Sequence, residues 1–361
     1  MRQSLATIGR FAGFRLVWLL LAVVVAVYIT VIIANMGGAM DQIRKAEIRF
    51  EVGSAIRLDP ANRGLPADVV QMLIETQTRQ EIERLHLDEP FFPRRSFQYL
   101  WNAMSLQLGR AEYISSDSGS AQVTLILLER LPTTLLLFGT AQLLIFFVAL
   151  FVALILSRRY GSFLDKLVIA LAPSSSAPAW FYGLFLILIF AGVLRLLPWG
   201  GMIDVPVPEN SWLYALSVAK HLILPVTAVV LSNLFASIYS WRTFFLIYSS
   251  EDYVELARAK GLSSRGISMR YILRPTMPPI LTQLALVLIT MWMGMIVLER
   301  VFNWPGIGQI FYIAISARDT PVIIGVIVIY GYLLAATIYA LDFVYGILDP
   351  RVRLGAGTGA R

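Results

Sequence analysis

The sequence predicts an all-α polytopic membrane protein with six transmembrane helices. Hydrophobic residues make up 57% of the 361 residues and charged residues only 15%, where soluble domains carry about 45–50% and about 25%. Mean hydropathy is +0.70. Six charge-free intervals reach the ~20 residues that cross a bilayer core: 16–40, 131–157, 167–194, 221–241, 275–298 and 320–341. Backbone groups in lipid must pair within their own segment, so each interval is expected to be a helix.

The first interval is longer than the 7–15-residue apolar core of a signal peptide and reads as a retained anchor. Residues 37–130 are the largest stretch outside the bilayer. Within them, 67–85 has helical apolar spacing at Val69, Val70, Leu73, Ile74, Ile82 and Leu85. Pro90 and Pro93 break the chain, 97–108 reads as a second short helix, and 109–120 is turn-like. So few elements bury little by themselves, so they are expected to pack on the membrane domain, as a cap over it or as a dock for a partner.

The second interval opens the core. The third contains Pro173 and Pro178 around three serines and is expected to kink or to start late, near Pro178. The fourth and fifth are joined by 242–274, too long for a simple connector. At its centre, Asp252 suits an N-cap with Glu255 at N3, a capping box. Gly261 suits the left-handed position after a helix end, and Arg258 and Lys260 suit the last turn. The result is a helix of about eight residues, which is marginal alone in water. It must pack either on its own membrane domain or on a partner protein. The sixth interval closes the core.

Orientation follows from Lys and Arg in the short loops. With the N-terminus inside, interior segments hold fifteen and the two short exterior loops four. Both termini are therefore expected in the cytoplasm. The net charge of +7 is accounted for by this asymmetry, which leaves no basic patch for nucleic acid. The organisation is then 1–36, the N-terminal end and first span; 37–130, an extracytoplasmic insertion; 131–350, a core of five spans with cytoplasmic loop 242–275; and 351–361, a tail.

Catalytic chemistry is poorly supplied. There is no Cys and only His86 and His221, so neither a thiolate nor a His-rich metal centre is expected. No Gly-x-x-x-x-Gly-Lys-Ser/Thr run exists to cradle phosphates. A membrane protease would need His221, at a membrane edge. No charge lies inside an interval, which argues against an ion-driven secondary transporter; that transporter or a channel is the competing reading. Gln142, Ser232, Asn233 and Gln283 are the polar residues within spans, suited to interhelical hydrogen bonds or to a pathway lining. Trp199 and Trp304, in Trp-Gly-Gly and Trp-Pro-Gly turns, are expected as interfacial anchors.

The run Glu255-Leu-Ala257-Arg258-Ala-Lys260-Gly261-Leu resembles the EAA loop of ABC importer permeases, and more narrowly the dipeptide/oligopeptide/nickel branch. Glu-Arg-Leu-Pro-Thr-Thr-Leu (129–135), His221-Leu-Ile-Leu-Pro225, Glu299-Arg-Val-Phe-Asn-Trp304-Pro305-Gly306-Ile-Gly308, Arg318-Asp319-Thr-Pro321 and Leu348-Asp349-Pro350-Arg351-Val-Arg353 resemble further family motifs in order over 121–354. The chain departs from the family's usual pattern after the first span, where Met36-Gly-Gly-Ala-Met-Asp41 stands, and at Pro275.

The resemblance implies the type I ABC importer permease fold and a multi-pass place in the bacterial cytoplasmic (inner) membrane. It implies four kinds of partner: membrane lipid, a second homologous permease, two ABC ATPase subunits, and an extracytoplasmic solute-binding protein. The chain itself would hold no cofactor, with ATP and Mg bound by the ATPase subunits. Glu255, Ala257, Arg258, Lys260 and Gly261 would be its ATPase-coupling residues. Closure of the ATPase pair would push the short helix and turn the permease from inward- to outward-facing. The cargo implied is a di- or oligopeptide or a related solute.

Overall fold

The computed structural model describes residues 2–35, 39–62, 64–291 and 295–348. They form fourteen α-helices: α1 (Arg2–Asn35), α2 (Ala39–Leu58), α3 (Ala67–Arg84), α4 (Ser96–Met104), α5 (Val123–Leu156), α6 (Phe163–Leu171), α7 (Ala179–Leu186), α8 (Ser211–Ser249), α9 (Asp252–Ala259), α10 (Ser264–Ile267), α11 (Arg274–Thr290), α12 (Ile296–Val301), α13 (Ile307–Ala317) and α14 (Thr320–Leu348). Among the described residues the only β pairing is a single antiparallel bridge, Arg110 with Gln122. The helices group into two compact units. One is built on Leu128–Ile313, the other on Gly13–Leu127 and Ala314–Ala335.

Five helical stretches are long and apolar enough to span a membrane: Gly13–Ile33, Val123–Leu156, Ser211–Ser249, Ser264–Thr290 and Thr320–Leu341. A sixth is split. Phe163–Ser176 and Ala179–Val193 meet at a 98° bend, so the third interval is not one straight span. Pro178 explains the place of the break. It has no N–H to give a helix, and it forces Ala177 into extended geometry (φ −89°, ψ 134°). The fifth interval also differs from expectation. Its helix α11 ends at Thr290, and α12 begins afresh at Ile296. The first interval's upper end falls on residues 36–38, outside the described residues.

In the unit built on Leu128–Ile313, two buried clusters hold the helices. One joins Leu137, Phe138 and Ala141 of α5 to Ala179 of α7, Leu224 and Ala228 of α8, and Leu298, Phe302 and Trp304. The other joins Ala149, Ala153 and Leu154 of α5 to Val168 of α6, Ile238 and Phe245 of α8, and Val254 and Ala257 of α9. Alanines at close crossings let the helix axes approach, as in membrane bundles generally.

In the second unit, Val23, Val27 and Val31 of α1, at four-residue spacing, pack with Ala103 of α4 and with Ile324 and Val328 of α14. The insertion therefore packs on membrane helices of its own unit, as its small size required. Helix α2 was not anticipated. Its Gly53 faces Ile74 of α3, which closes a helical hairpin. Helix α13 lies between the fifth and sixth intervals, in a stretch where the charge pattern gives no helix.

Candidate functional site

The connection from α8 to α11 folds as a compact helical loop. Asn210 starts α8 by accepting from the Trp212 N–H at 2.7 Å, and the helix runs unbroken through Pro225 to Ser249. Glu251 then adopts extended geometry (φ −72°, ψ 145°) and takes the N-cap place of α9. Asp252 is thus the first helical residue, and no side chain caps the first turn. The expected Asp252–Glu255 capping box is not formed, because the helix starts one residue earlier than the pattern suggested. Asp252 and Glu255 instead place negative charge in the first turn, where the helix dipole favours it.

The other end of α9 is as expected. Gly261 has φ +76°. The Leu262 N–H donates to Ala257 O at 3.3 Å, and the Gly261 N–H to Arg258 O at 2.9 Å. This is a Schellman ending. A Cβ on Gly261 would meet nothing within 4 Å, so backbone conformation alone demands the glycine. Ser263 next accepts from the Gly266 N–H at 3.2 Å and starts α10.

Helix α9 is two-faced. Val254 (0% exposed) and Ala257 (2%) enter the cluster with Phe245, Ile267 and Ile272. Ala257 therefore faces its own chain and supports the helix from beneath. Glu255, Arg258, Lys260 and Gly261 are exposed. Beside them stand Tyr253, Leu256 (57% exposed) and Leu262, an apolar outer strip that the sequence reading did not single out. Its signal was present in the spacing of Tyr253 and Leu256, one turn apart. Burial and the neighbouring Glu251 push the Tyr253 phenol above its ordinary range.

A buried ion pair lies in the same unit. Arg242 of α8 donates through Nε and Nη2 to Asp165 of α6 at 2.5 and 2.7 Å. Their side chains are 8% and 1% exposed. Asp165 also accepts from the Gly161 N–H at 2.9 Å, and the Tyr160 ring lies 5.1 Å from the guanidinium. Arg242 bounds the fourth interval and Asp165 stands two residues before the third, yet both are withdrawn from water as a bidentate pair.

The second organised region is the loop before α13. Glu299 is wholly buried. Its carboxylate accepts from Thr134 Oγ1 and from the Gln309 N–H, both at 3.0 Å. Thr134 Oγ1 accepts from the Ile307 N–H at 2.8 Å, and Thr133 Oγ1 donates to Pro305 O at 2.5 Å. A Cβ on Gly306 would fall on Glu299 and Thr134, so only glycine fits. Burial pushes the Glu299 carboxyl up to about 7, against the pull of hydrogen bonds from Gln309, Thr134 and Gly308. Trp304 lies within this network, 0% exposed, with Nε1 donating to Thr133 O at 2.9 Å. Burial in this network sets it apart from the exposed anchor expected, whereas Trp199 is 64% exposed.

The polar residues inside helices divide. Ser232 Oγ donates to Ala177 O at 2.9 Å, which satisfies a carbonyl freed at the 98° bend. Asn233 Nδ2 donates within its own helix to Val229 O at 3.0 Å. Gln142 is half-buried and Gln283 exposed. His221 is buried, with Nδ1 2.8 Å from Ser217 O, an environment of helix packing. Among the described residues, no group of three His, Cys, Asp or Glu could hold a metal ion.

The comparisons with known proteins agree with this architecture. A family model described as "Binding-protein-dependent transport system inner membrane component" matches residues 112–354. The Di/tripeptide transport system permease protein DppB of Pseudomonas aeruginosa (strain UCBPP-PA14) is 30% identical, over 81% of this chain and 91% of its own length. The Dipeptide transport system permease protein DppB of Bacillus subtilis (strain 168) is 30% identical, over 74% and 82%. The Oligopeptide transport system permease protein AppB of the same organism is 25% identical, over 80% and 91%. The matched stretch includes both the two-faced α9 loop and the Glu299 network, and the chain belongs to the family of inner-membrane permease components of binding-protein-dependent ABC transport systems.

Proposed function

We propose that this chain forms half of the translocation pathway of an ATP-driven importer for di- or oligopeptides, beside a second homologous permease. On this reading α9 is the coupling helix, seated in a cleft of one of two ATPase subunits, with Glu255, Arg258, Lys260 and Gly261 at the contact. Ala257 holds the helix from below. Cargo arrives from an extracytoplasmic binding protein. Both termini lie in the cytoplasm, on the side of the fifteen interior Lys and Arg.

The carrying observation is the two-faced α9. A short helix fixed at both ends, with one apolar side in its own core, still offers Tyr253, Leu256 and Leu262 outward. Eight residues make a helix about 12 Å long, short enough to enter a cleft as one rigid piece. The peptide cargo is supported by the names of the relatives.

The test is Leu256→Asp, at a position 57% exposed where the fold does not need leucine. Uptake of a labelled dipeptide should be lost while the variant stays in the membrane at wild-type level. Undiminished uptake in that variant would overturn the assignment of α9.

A further inference from the structure

We propose that α4 of the insertion enters the bilayer and lays its outer face, Phe97 and Trp101, against lipid. The proposal does not depend on the identity of the cargo or the ATPase.

Depth comes from the two spans that α4 touches. The apolar window of α1, Gly13–Ile33, has 21 residues. At 1.5 Å per residue this is about 31 Å, comparable to the ~30 Å hydrocarbon core. Tyr28 lies five residues from its end, about 8 Å inside. The Phe97 ring stacks on that of Tyr28, with centroids 5.6 Å apart and 17° between planes, and Ser96 Oγ is 3.1 Å from Tyr28 Oη. On α14, Tyr332 stands twelve residues into the window Thr320–Leu341. Its hydroxyl donates to Met104 O at 2.5 Å. Helical side chains lean back toward the N-terminus, so Met104 lies roughly 12 Å inside that span. Both ends of α4 thus sit at membrane depth.

Backbone pairing is an independent observation. The last carbonyls of a helix have no partner within it, and water, the following turn or a side chain serves them. Here the following turn and side chains do. Trp101 O accepts from the Ser105 N–H and hydroxyl at 2.9 and 2.8 Å. Asn102 O accepts from the Gln107 N–H at 2.8 Å, and Ala103 O from the Leu106 N–H at 3.1 Å. Met104 O takes the Tyr332 hydroxyl, and Leu106 O takes Thr124 Oγ1 at 2.7 Å. At the other end, Arg95 is 3% exposed and is bound to Asp41 and to Glu89 O. Irregular backbone at membrane depth is tolerated only when its polar groups are satisfied by protein in this way.

The outer face then needs an apolar neighbour. Phe97 is 58% exposed and Trp101, one turn on, 72%, while Ala103 is buried on the inner side. Gln98 is exposed beside them, so α4 is an amphipathic helix with aromatic side chains outward, the kind that lies at a membrane boundary. Helix α1 alongside is open as well, its window only 17% buried, with Val25, Ile29 and Ile33 each at least half exposed. Both helices thus expose apolar side chains that lipid would cover.

The chain contains no Cys, so it adds no background label of its own, and the assembly labelled without an introduced Cys gives the partners' background. Nitroxides would be attached at Phe97→Cys and Trp101→Cys, with Leu21→Cys on α1 as the lipid reference and Phe50→Cys on α2 (75% exposed) as the water reference. The intact assembly is purified from its membrane and reconstituted in phosphatidylcholine vesicles. Collision rates with oxygen and with a water-soluble nickel chelate are then compared. The oxygen-to-nickel ratio at 97 and 101 should exceed that at 50 several-fold and approach that at 21. A ratio at the water reference would overturn the proposal. So would shielding from both reagents, which would mean that a protein partner covers the face.

Discussion

Replacing Glu299 with glutamine isolates a titration that the fold places inside a pH range easy to measure. The carboxyl is raised from 4.5 to about 7 by burial. In the unfolded chain it ionises near 4.5, whereas in the folded one it holds its proton to about 7. The stability it contributes is full below about 4.5 and is lost as pH rises through 7. The loss amounts to about 3 kcal/mol above that, at ~1.4 kcal/mol per pH unit between the two values. Glutamine mimics the protonated form: its Nε2 can donate to Thr134 Oγ1 and its Oε1 can accept from Gln309 N–H. Thermal unfolding in detergent between pH 5 and pH 8.5 is the assay. The wild-type midpoint should fall with rising pH, and that of Glu299→Gln should fall less. Glu112, also raised by burial and by Asp319 and Glu47, tilts both proteins alike and cancels in the difference. Parallel curves for the two would refute the assignment of a raised carboxyl to Glu299.

Three other substitutions bear on separate parts of the structure. Gly261→Ala at φ +76° should cost about 1–2 kcal/mol locally; uptake should fall more than ATP hydrolysis does when both are measured on the reconstituted assembly. Arg242→Met should cost about 3–5 kcal/mol by leaving Asp165 charged and buried, and Asp165→Leu/Arg242→Met should recover most of it, read as thermal midpoints of single and double variants. Ser232→Ala should cost about 1 kcal/mol by orphaning Ala177 O at the bend, again as a midpoint shift, with the variant still inserted.

The legible parts of the fold were those that lipid or backbone geometry dictates. Charge-free intervals of about 20 residues found the spans because hydrocarbon excludes charge, and Pro178 marked the break because proline cannot donate. Gly261 located the end of α9 because a left-handed residue must follow it. The start of α9 was misplaced by one residue, because both Glu251 and Asp252 are acidic and side-chain identity does not say which turns extended. Helix α2 escaped notice because Ile48, Val52 and Ile56 are spread among seven charged residues.

The candidate site was legible as a strip of sequence, but the direction of its side chains was not. Ala257 reads equally as a partner contact or as a core contact, and only its packing with Val254 and Phe245 decides it. Glu299 looked like a charge bounding a span. Its burial depends on Thr134, 165 residues away, and no local pattern carries that. Trp304 was misread for the same reason, since its partner is the carbonyl of Thr133.

The proposed role makes this chain one membrane half of an ATP-driven assembly, with α9 as the joint. Purification of the tagged chain from its own membrane in mild detergent, with mass spectrometry of whatever accompanies it, tests this most directly. ATPase subunits and a second, homologous six-span protein should accompany the wild type, and the ATPase alone should be lost from Leu256→Asp. A chain that purifies only with itself and moves solute down an ion gradient in vesicles would contradict it.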